Sequence, residues 1–421
     1  MTSHAIYDIY YLKVHISIYA LEVKMTKKVS RHLLNRLAEV PDKRNPRGKR
    51  HPLSAILGLS VIAMMCGYRS YSAIAQWGRT YPPEFGKALG FTHPKTPCAA
   101  TLHYCFNDLD IVALERTLSA WATDVFAATQ EDDENAVAID GKTLCGSLTQ
   151  DAQITHLLSV VTHQLGITLT QRPVSNKTNE IPIASRILEA FDVSGKVVTT
   201  DALLTQRSFC QDLCDADADY VMPVKENQPN LLEDIRSVFE SSPSDTQTSH
   251  PTKTSEQIHK DLGARTDTCT TVDKDNGWLQ TRTMTTSTLL IDTGYVDWPG
   301  LAQVYQYKTE RKHIRTGEMR TMTQYGITSL TPECGSAERI LMLRRGHWAI
   351  ENLSHRTRDV LFDEDASQVR CGNIPQVMCA LRNAIISLLR TYGNTEIAYA
   401  FRYFAAKPKE ALMLLGANID N

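Results

Sequence analysis

Two short apolar segments, each leading to an aspartate, constrain most strongly the fold that this chain can adopt. "AVAIDGKTL" predicts a strand that reaches Asp140, and "GKVVTTDALLT" predicts a second strand that reaches Asp201. Between them lie a predicted β-hairpin, "HLLSVVTHQLGITLTQRPV", with Gly166 near its turn, and a predicted helix, "IPIASRILEAFDV". Because neighbouring strands of a sheet bring their carboxyl ends together, we expect Asp140 and Asp201 to meet, although they lie 61 positions apart.

The surrounding pattern predicts an α/β protein with a helical N-terminal part. Residues 53–130 read as a run of helices, after which the acidic stretch "QEDDENA" marks a boundary. Beyond Asp201 come a helix, the strand "DYVMPVKE" and the helix "NLLEDIRSVFES". Residues 267–330 alternate Thr, Val and Tyr, which predicts strands without helices between them. A helical pattern returns at residue 336.

The segment "RRGHWAIENLSH" predicts a helix that carries chemistry. His347, Glu351 and His355 recur every four residues, so an α-helix would place them on one face. Two strand-end carboxylates facing a helical one suit Mg²⁺ or Mn²⁺. Two such ions, about 4 Å apart, can hold the attacking and leaving oxygens of a phosphoryl displacement.

Two other interpretations of these acids stay open. An aspartate that ends a strand is also a common turn or helix-cap residue. His347, Glu351 and His355 could instead hold zinc, although their spacing differs from the H-E-x-x-H helix of zinc proteases.

Basic and aromatic residues near these acids are candidates for DNA contact. Arg344 and Arg358 lie seven positions before and after Glu351, which suits backbone phosphates, and the alternative for each is a surface ion pair. The candidate phosphate-contacting residues are Lys142, Lys225, Arg344, His347, His355 and Arg358. Trp278, Trp298 and Trp348 could stack on an unpaired base, or be buried.

Charge and cysteine usage bear on the partners of the protein and on the compartment in which it works. The net charge is −2, but residues 26–50 hold nine Lys or Arg against two acids. Such a block attracts phosphates, and is equally typical of a solvated arm. The ten cysteines form no CxxC pair, and no signal peptide is recognisable, so we expect reduced thiols in a cytoplasm. Polar residues interrupt the first 24 positions, which makes them a poor membrane span.

Several blocks together resemble one family. "AIDGKTLCGS", "VVTTDALLTQ", "DYVMPVKENQPNLLEDI" and "RGHWAIENLSH" are similar to successive signature blocks of the DDE transposases of bacterial insertion sequences. The resemblance is to the ISAs-type branch, which includes the H-repeat-associated proteins. It implies a ribonuclease-H-like mixed sheet flanked by helices, with a β-rich insertion between the second aspartate and the glutamate. It also implies a helical domain upstream.

The resemblance divides the chain as follows. The expected parts are a dispensable or mis-started extension (1–30, with Met25 as an alternative start), a helical transposase-associated domain (31–130), the first part of the catalytic core (135–240), the β-rich insertion (241–335), the last part of the core with the Glu-bearing helix (336–395) and a C-terminal tail (396–421).

The family chemistry, carried over by motif, assigns roles to the three acids. Asp140 in "IDGK", Asp201 in "TTDA" and Glu351 in "HWAIEN" match the catalytic acids, which hold two Mg²⁺ ions, with Mn²⁺ as an alternative. The implied reaction is hydrolysis at the transposon ends, followed by attack of the freed 3′-hydroxyl on target DNA. The implied partners are double-stranded DNA with terminal inverted repeats, target DNA and a second copy in the DNA complex, with no membrane partner. The implied location is the bacterial cytoplasm, at the nucleoid when bound to DNA.

Three departures from the family pattern leave alternatives open. "NLSHRTRD" follows the glutamate where the family has Leu-His-Trp, "TPCAATLHYCF" replaces a proline-serine-threonine-arginine pattern, and "DLGARTDT" replaces a glycine-histidine-glycine-arginine block. The alternatives are a catalytically decayed or domesticated DNA-binding protein, and a metal-dependent nuclease without strand transfer.

Overall fold

The computed structural model describes most of the chain. The described residues are 33–47, 49–129, 135–147, 154–174, 180–240, 263–294, 296–393 and 396–417. The predicted extension at 1–30 and residues 241–262 of the predicted insertion lie outside them. The chain divides into two compact units, whose boundaries differ from those of the predicted domains. The first comprises residues 1–133, 141–177 and 351–421, and the second comprises residues 134–140 and 178–350.

The elements alternate much as the sequence predicts. The helices are α1 (Leu33–Leu37), α2 (Leu53–Met65), α3 (Tyr71–Thr80), α4 (Pro83–Ala88), α5 (Ala99–Asn107), α6 (Ile111–Thr129), α7 (Glu180–Ala190), α8 (Arg207–Asp215), α9 (Pro229–Phe239), α10 (Leu289–Asp292), α11 (Ala337–Ala349), α12 (Arg356–Phe362), α13 (Ile374–Thr391), α14 (Ile397–Ala406) and α15 (Pro408–Leu415). The strands are β1 (Ala136–Leu144), β2 (Thr155–Thr162), β3 (Thr168–Val174), β4 (Val197–Thr200), β5 (Asp219–Val224), β6 (Thr266–Asp275), β7 (Trp278–Ser287), β8 (Gln303–His313) and β9 (Met319–Thr328). Their order in the sheet is β3-β2-β1-β4-β5-β9-β8-β7-β6.

The first unit is built around helices α2 and α13. Helix α2 is apolar on every side, and almost all of it is buried, as expected of a helix at the centre of a domain. Helix α3 begins at Ser70, whose hydroxyl accepts the N–H of Ala73 and so caps the helix. The predicted hairpin is confirmed, since β2 and β3 pair antiparallel. Gly166 lies in its turn with φ +61°, a conformation that favours glycine.

The second unit contains the parallel part of the sheet. β1 pairs parallel with β4, and β4 pairs parallel with β5. β9 then pairs antiparallel with β5, and β8, β7 and β6 follow it in antiparallel order. The β-rich insertion therefore continues the sheet of the core through β9.

One sequence prediction needs correction. The insertion was predicted to lack helices, but the short helix α10 lies between β7 and β8, because Leu290 turns inward there and is buried. The segment 396–421, named above as a C-terminal tail, contains helices α14 and α15, in agreement with the helical pattern that begins at residue 336.

The predicted α/β class, with a mixed sheet flanked by helices, is confirmed. In the part of the chain that the structure describes, no helix is both long enough and apolar enough to cross a membrane.

Candidate active site

Asp140 and Asp201 occupy adjoining positions on neighbouring parallel strands. The register pairs Ile139 of β1 with Thr200 of β4. Asp140 is the next residue of β1, which continues to Leu144, and Asp201 directly follows β4. Neighbouring strands lie about 4.8 Å apart, so the backbones at Asp140 and Asp201 are close neighbours. The parallel pairing of β1 with β4, which the prediction for these two acids required, is therefore present.

Both aspartates point to the face of the sheet that α11 covers. Side chains alternate between faces along a strand, so Asp140 shares a face with Ala136, and Asp201 shares one with Val197. Ala136 and Val197 belong to one buried apolar cluster with Ile340 and other residues of α11. The aspartates therefore lie at the carboxyl-terminal border of that cluster.

His347, in the last turn of α11, lies close to this border. Its Nδ1 is 3.2 Å from Oγ1 of Thr199, which lies two residues before Asp201 on the same face. Thr199 is buried, so it holds the imidazole near the end of β4. Sequence analysis missed Thr199, although the two-residue period of "VVTTDA" was a signal for its orientation.

Asp201 also has a local structural contact. Its carboxylate accepts a hydrogen bond from the N–H of Leu204 and caps the 3₁₀ turn Ala202–Leu204. The capping interpretation and the catalytic one are compatible, because one carboxylate offers several acceptor sites.

Glu351 lies in a π-helical turn, Ile350–His355, that follows α11, and Glu351 itself belongs to the first unit. The prediction that His347, Glu351 and His355 share one helical face assumed a continuous α-helix. Glu351 is exposed, whereas His355 is buried. Single π turns inside helices are rare and occur often at functional sites.

The donor set fits a hard divalent cation only in part. Adjoining carboxylates are the ligands that Mg²⁺ and Mn²⁺ prefer. Across the described ranges, no three His, Cys, Asp or Glu side chains form a group that could hold a metal ion. This applies to the triad of acids and also to the zinc alternative with His347, Glu351 and His355. Asp140 and Asp201 are neighbours by strand register, and their joint role as metal ligands stays a prediction.

Lys142 was predicted to contact phosphate, but it forms an ion pair within the first unit. Its Nζ lies 2.7 Å from both carboxylate oxygens of Asp359, and Asp365 lies 3.9 Å away. Only 9% of the Lys142 side chain is exposed. The pair joins the end of β1 to α12, the helix that follows the π turn.

Arg358 was predicted at the surface, and the structure instead buries it completely. Its Nε lies 3.5 Å from Glu364, and its Nη1 donates to Cys379 Sγ at 2.6 Å. Arg382 contacts the same Glu364 at 2.9 Å. Burial alone would raise the pKa of Glu364, but the charges of Arg358 and Arg382 outweigh it and hold that pKa below its ordinary value. Arg358 therefore belongs to a buried charge cluster, because α12 turns this side inward.

The other predicted DNA contacts lie in varied surroundings. Lys225 is exposed and directly follows β5. Arg344 is half-buried and donates to Gln324 at 3.0 Å. Trp278 is half-buried, with the guanidinium carbons of Arg311 and Arg320 at 5.3 and 5.1 Å from its ring centre.

The remaining tryptophans differ in exposure. Trp348, next to His347, is 55% exposed, whereas Trp298 is half-buried. Base stacking by any tryptophan stays a prediction.

Sequence comparisons match two families along the chain. The profile of the family described as "Transposase DDE domain" matches residues 132–389, which include the three predicted acids. The profile described as "DDE_Tnp_1-associated" matches residues 34–122, which correspond to the N-terminal helices.

Curated relatives of this chain include proteins that are named as putative transposases. The chain is 26% identical over 368 residues to "Putative transposase YncI" of Escherichia coli O157:H7, covering 85% of this chain and 87% of that protein. It is 25% identical over 361 residues to "H repeat-associated putative transposase YhhI" of Escherichia coli K12, covering 85% and 90%. It is also 29% identical over 296 residues to a Xanthobacter autotrophicus protein described as "Uncharacterized protein in dhlA 3'region", covering 70% and 93%.

Among solved structures, a similar one is the piggyBac transposase synaptic complex with hairpin DNA. The TM-score is 0.42 at 10% identity, with 95% of this chain and 81% of that chain covered. So remote a likeness carries no argument about the site.

Proposed function

Because this chain belongs to the family of transposases with a DDE domain, and is an enzyme of that type, we propose that Asp140, Asp201 and Glu351 are its catalytic acids. They would hold divalent metal ions, Mg²⁺ or Mn²⁺. The family as a whole depends on divalent metals, and the two-ion arrangement is our proposal for this chain. The observation that supports the proposal is the adjoining placement of Asp140 and Asp201, just beyond the point where the parallel pairing of β1 with β4 ends.

The chemistry follows from charge. A phosphodiester already bears a negative charge, and its displacement by an oxygen nucleophile concentrates more charge at the attacking and leaving oxygens. Bound divalent ions supply the positive charge and a template for these oxygens. Asp140 and Asp201 would orient them from the rigid sheet, and Glu351 would complete the ligand set.

The proposed reaction has two steps. In the first, a water oxygen bonds to phosphorus at the transposon end, and the bond to the 3′-oxygen breaks, which leaves a free 3′-hydroxyl. In the second, that hydroxyl attacks a phosphodiester of target DNA, and the 3′-oxygen of the target strand leaves. No covalent bond between protein and DNA is needed.

The proposed partners are double-stranded DNA with terminal inverted repeats, target DNA and a second copy of the chain. Of the predicted phosphate contacts, Lys225 is exposed, and Arg344 and His347 are half-buried. These three are favoured over His355 and Arg358, which are buried, and over Lys142, which is paired with Asp359. Contacts to phosphates would set orientation and salt dependence, without reading sequence.

The test uses purified full-length protein, Mg²⁺ and linear DNA that contains the coding region with its flanking sequence. Asp201→Asn should abolish cleavage at the ends. Asparagine keeps an oxygen that can accept from the N–H of Leu204, so the variant should remain folded. Asp215→Asn, the same change at an exposed position on α8, is the matched control and should cleave normally.

Three outcomes separate the alternatives. Joined products together with cleavage support the transposase. Cleavage without joining would indicate a nuclease without strand transfer, and binding without cleavage in either metal would indicate a decayed DNA-binding protein. Equal cleavage by Asp201→Asn and the wild type would remove the catalytic assignment.

A further inference from the structure

Arg390, on α13, is a buried arginine. Among the described residues, its side-chain hydrogen bonds all go to backbone carbonyl oxygens. It is 8% exposed, and none of the ion pairs among the described residues includes it. Burial lowers the pKa of its guanidinium to about 10. A buried arginine is normally paired with a carboxylate, since desolvation of an unpaired charge is costly. The guanidinium of Arg390 donates to backbone carbonyl oxygens in place of a carboxylate.

Those donors connect two turns of the first unit. Nη1 donates to the carbonyl oxygens of Leu165 and Gly166, at 3.2 and 3.1 Å, in the β2–β3 turn. Nη2 donates to the carbonyl oxygen of Leu353, in the π turn that carries Glu351. The planar fork of a guanidinium suits this task, because its nitrogens point to different acceptors in fixed directions.

The packing around Gly166 confirms how close these groups are. A Cβ at this position would overlap the Arg390 guanidinium and come within 2.8 Å of Leu353 Cβ. The absence of a side chain at Gly166 thus lets the hairpin turn, the π turn and the guanidinium meet.

The π turn needs side-chain donors. The carbonyl of Leu353 accepts from the hydroxyl of Thr357 at 2.8 Å as well as from Arg390. Buried backbone carbonyls require partners, and a helix that departs from the α pattern changes which carbonyls its own amides satisfy. Arg390 and Thr357 thus both donate to one carbonyl oxygen inside the π turn.

We propose that Arg390 is a positioning residue for the third catalytic acid: by holding the carbonyl of Leu353, it maintains the π turn that sets the orientation of Glu351. The proposal rests on the proposed function for the role of Glu351. The role of Arg390 in holding the turn can be tested without any activity.

The first measurement is amide hydrogen exchange of full-length, metal-free protein. Arg390→Lys keeps the positive charge but loses the fork, so exchange should accelerate in residues 350–358 and 163–167. Arg382→Lys makes the same change eight positions earlier on α13, at a buried arginine that contacts Glu364. It should leave both turns protected.

The second measurement is cleavage of the same flanked DNA in Mg²⁺ and in Mn²⁺. Loss of a group that orients a metal ligand typically lowers activity about 10- to 100-fold. Because Mg²⁺ demands stricter geometry, the loss for Arg390→Lys should be larger in Mg²⁺ than in Mn²⁺. A general loss of stability would reduce activity equally in both metals.

The outcomes distinguish this proposal from the proposed function. If Glu351→Gln cleaves normally, the proposed function fails. If Glu351→Gln is inactive, but Arg390→Lys changes neither the exchange of the π turn nor the ratio of the two metals, the positioning role fails alone. Should Arg390→Lys not fold, Arg390→Met keeps an apolar stem and removes the donors to Leu353 without burying a charge, and unchanged exchange of the π turn in that variant would overturn the proposal.

Discussion

At the scale of single residues, Asp201 has two roles: it caps a 3₁₀ turn, and it is a proposed metal ligand. Its carboxylate caps a 3₁₀ turn, which fixes the side chain, and the extended backbone before it continues the strand that aligns with β1. A residue held in this way loses little further freedom when it binds a cation. The cap thus prepares Asp201 for the role proposed for it.

A buried histidine gives the protein a specific dependence on pH. His163, at the end of β2, is 6% exposed, and burial lowers its pKa to about 4. In the unfolded chain a histidine has a pKa near 6.5, so as the pH falls below that value the unfolded state takes up the proton first. The native state therefore loses stability between about pH 6.5 and pH 4, by about 3 kcal/mol in all.

We predict that His163→Gln removes this part of the pH dependence. Glutamine is neutral at both pH values, so the free energy of unfolding of the variant should fall less between pH 6.5 and pH 4 than that of the wild type. Urea denaturation at a series of pH values measures it. Curves that run parallel for the two proteins would contradict the assignment.

At the scale of elements, the sequence was most informative where local pattern decides the structure. The strand that reaches Asp140, the hairpin with its turn at Gly166 and the strand before Asp201 were all predicted, because apolar periodicity and a turn glycine are local signals. The adjoining placement of the two aspartates followed from one topological rule about neighbouring strands.

The π turn could not be predicted in the same way. The four-residue spacing of His347, Glu351 and His355 is typical of an α-helix, and nothing local contradicts it. The donor that stabilises the π turn comes from Arg390, 37 positions away from Leu353. Arg358 was misplaced for a related reason, since its burial depends on Glu364 and on Cys379 of another helix. Both the π turn and the burial of Arg358 therefore depend on contacts between elements that are distant in sequence.

The ion pair between Lys142 and Asp359 is a further contact of this kind, and it can be tested by charge reversal. Either Lys142→Glu or Asp359→Lys alone should lower the free energy of unfolding by about 1 to 3 kcal/mol, because each leaves two like charges in a largely buried position. The double variant should recover part of the loss, as contacting residues couple by about 0.5 to 3 kcal/mol. Chemical denaturation of all four proteins gives the coupling energy.

The same variants separate a structural role of Lys142 from a role in DNA binding. If Lys142 acted mainly on phosphate, the double variant would regain neither DNA affinity nor its salt dependence. An additive loss of stability in the double variant would show that the pair does not stabilise the fold.

At the scale of the whole molecule, local basic charge is partly neutralised within the structure. In the N-terminal block, Lys43 pairs with Asp110, and Arg36 pairs with Asp124, two acids that lie outside the block. The block therefore offers less free positive charge than its excess of +7 over residues 26–50 indicates. DNA binding by a chain of net charge −2 must depend on a few placed cations, which makes it sensitive to salt.

The last two helices, α14 and α15, contribute to the core of the first unit. α15 buries Leu412 completely, whereas its neighbour Met413 is 58% exposed. We predict that Leu412→Ala lowers the free energy of unfolding by about 2 to 5 kcal/mol, the usual cost of removing a buried leucine side chain. Met413→Ala, one position along the same helix, should change it by less than about 0.5 kcal/mol. Both are measured by urea denaturation, and equal, small effects would mean that α15 contributes little to the core.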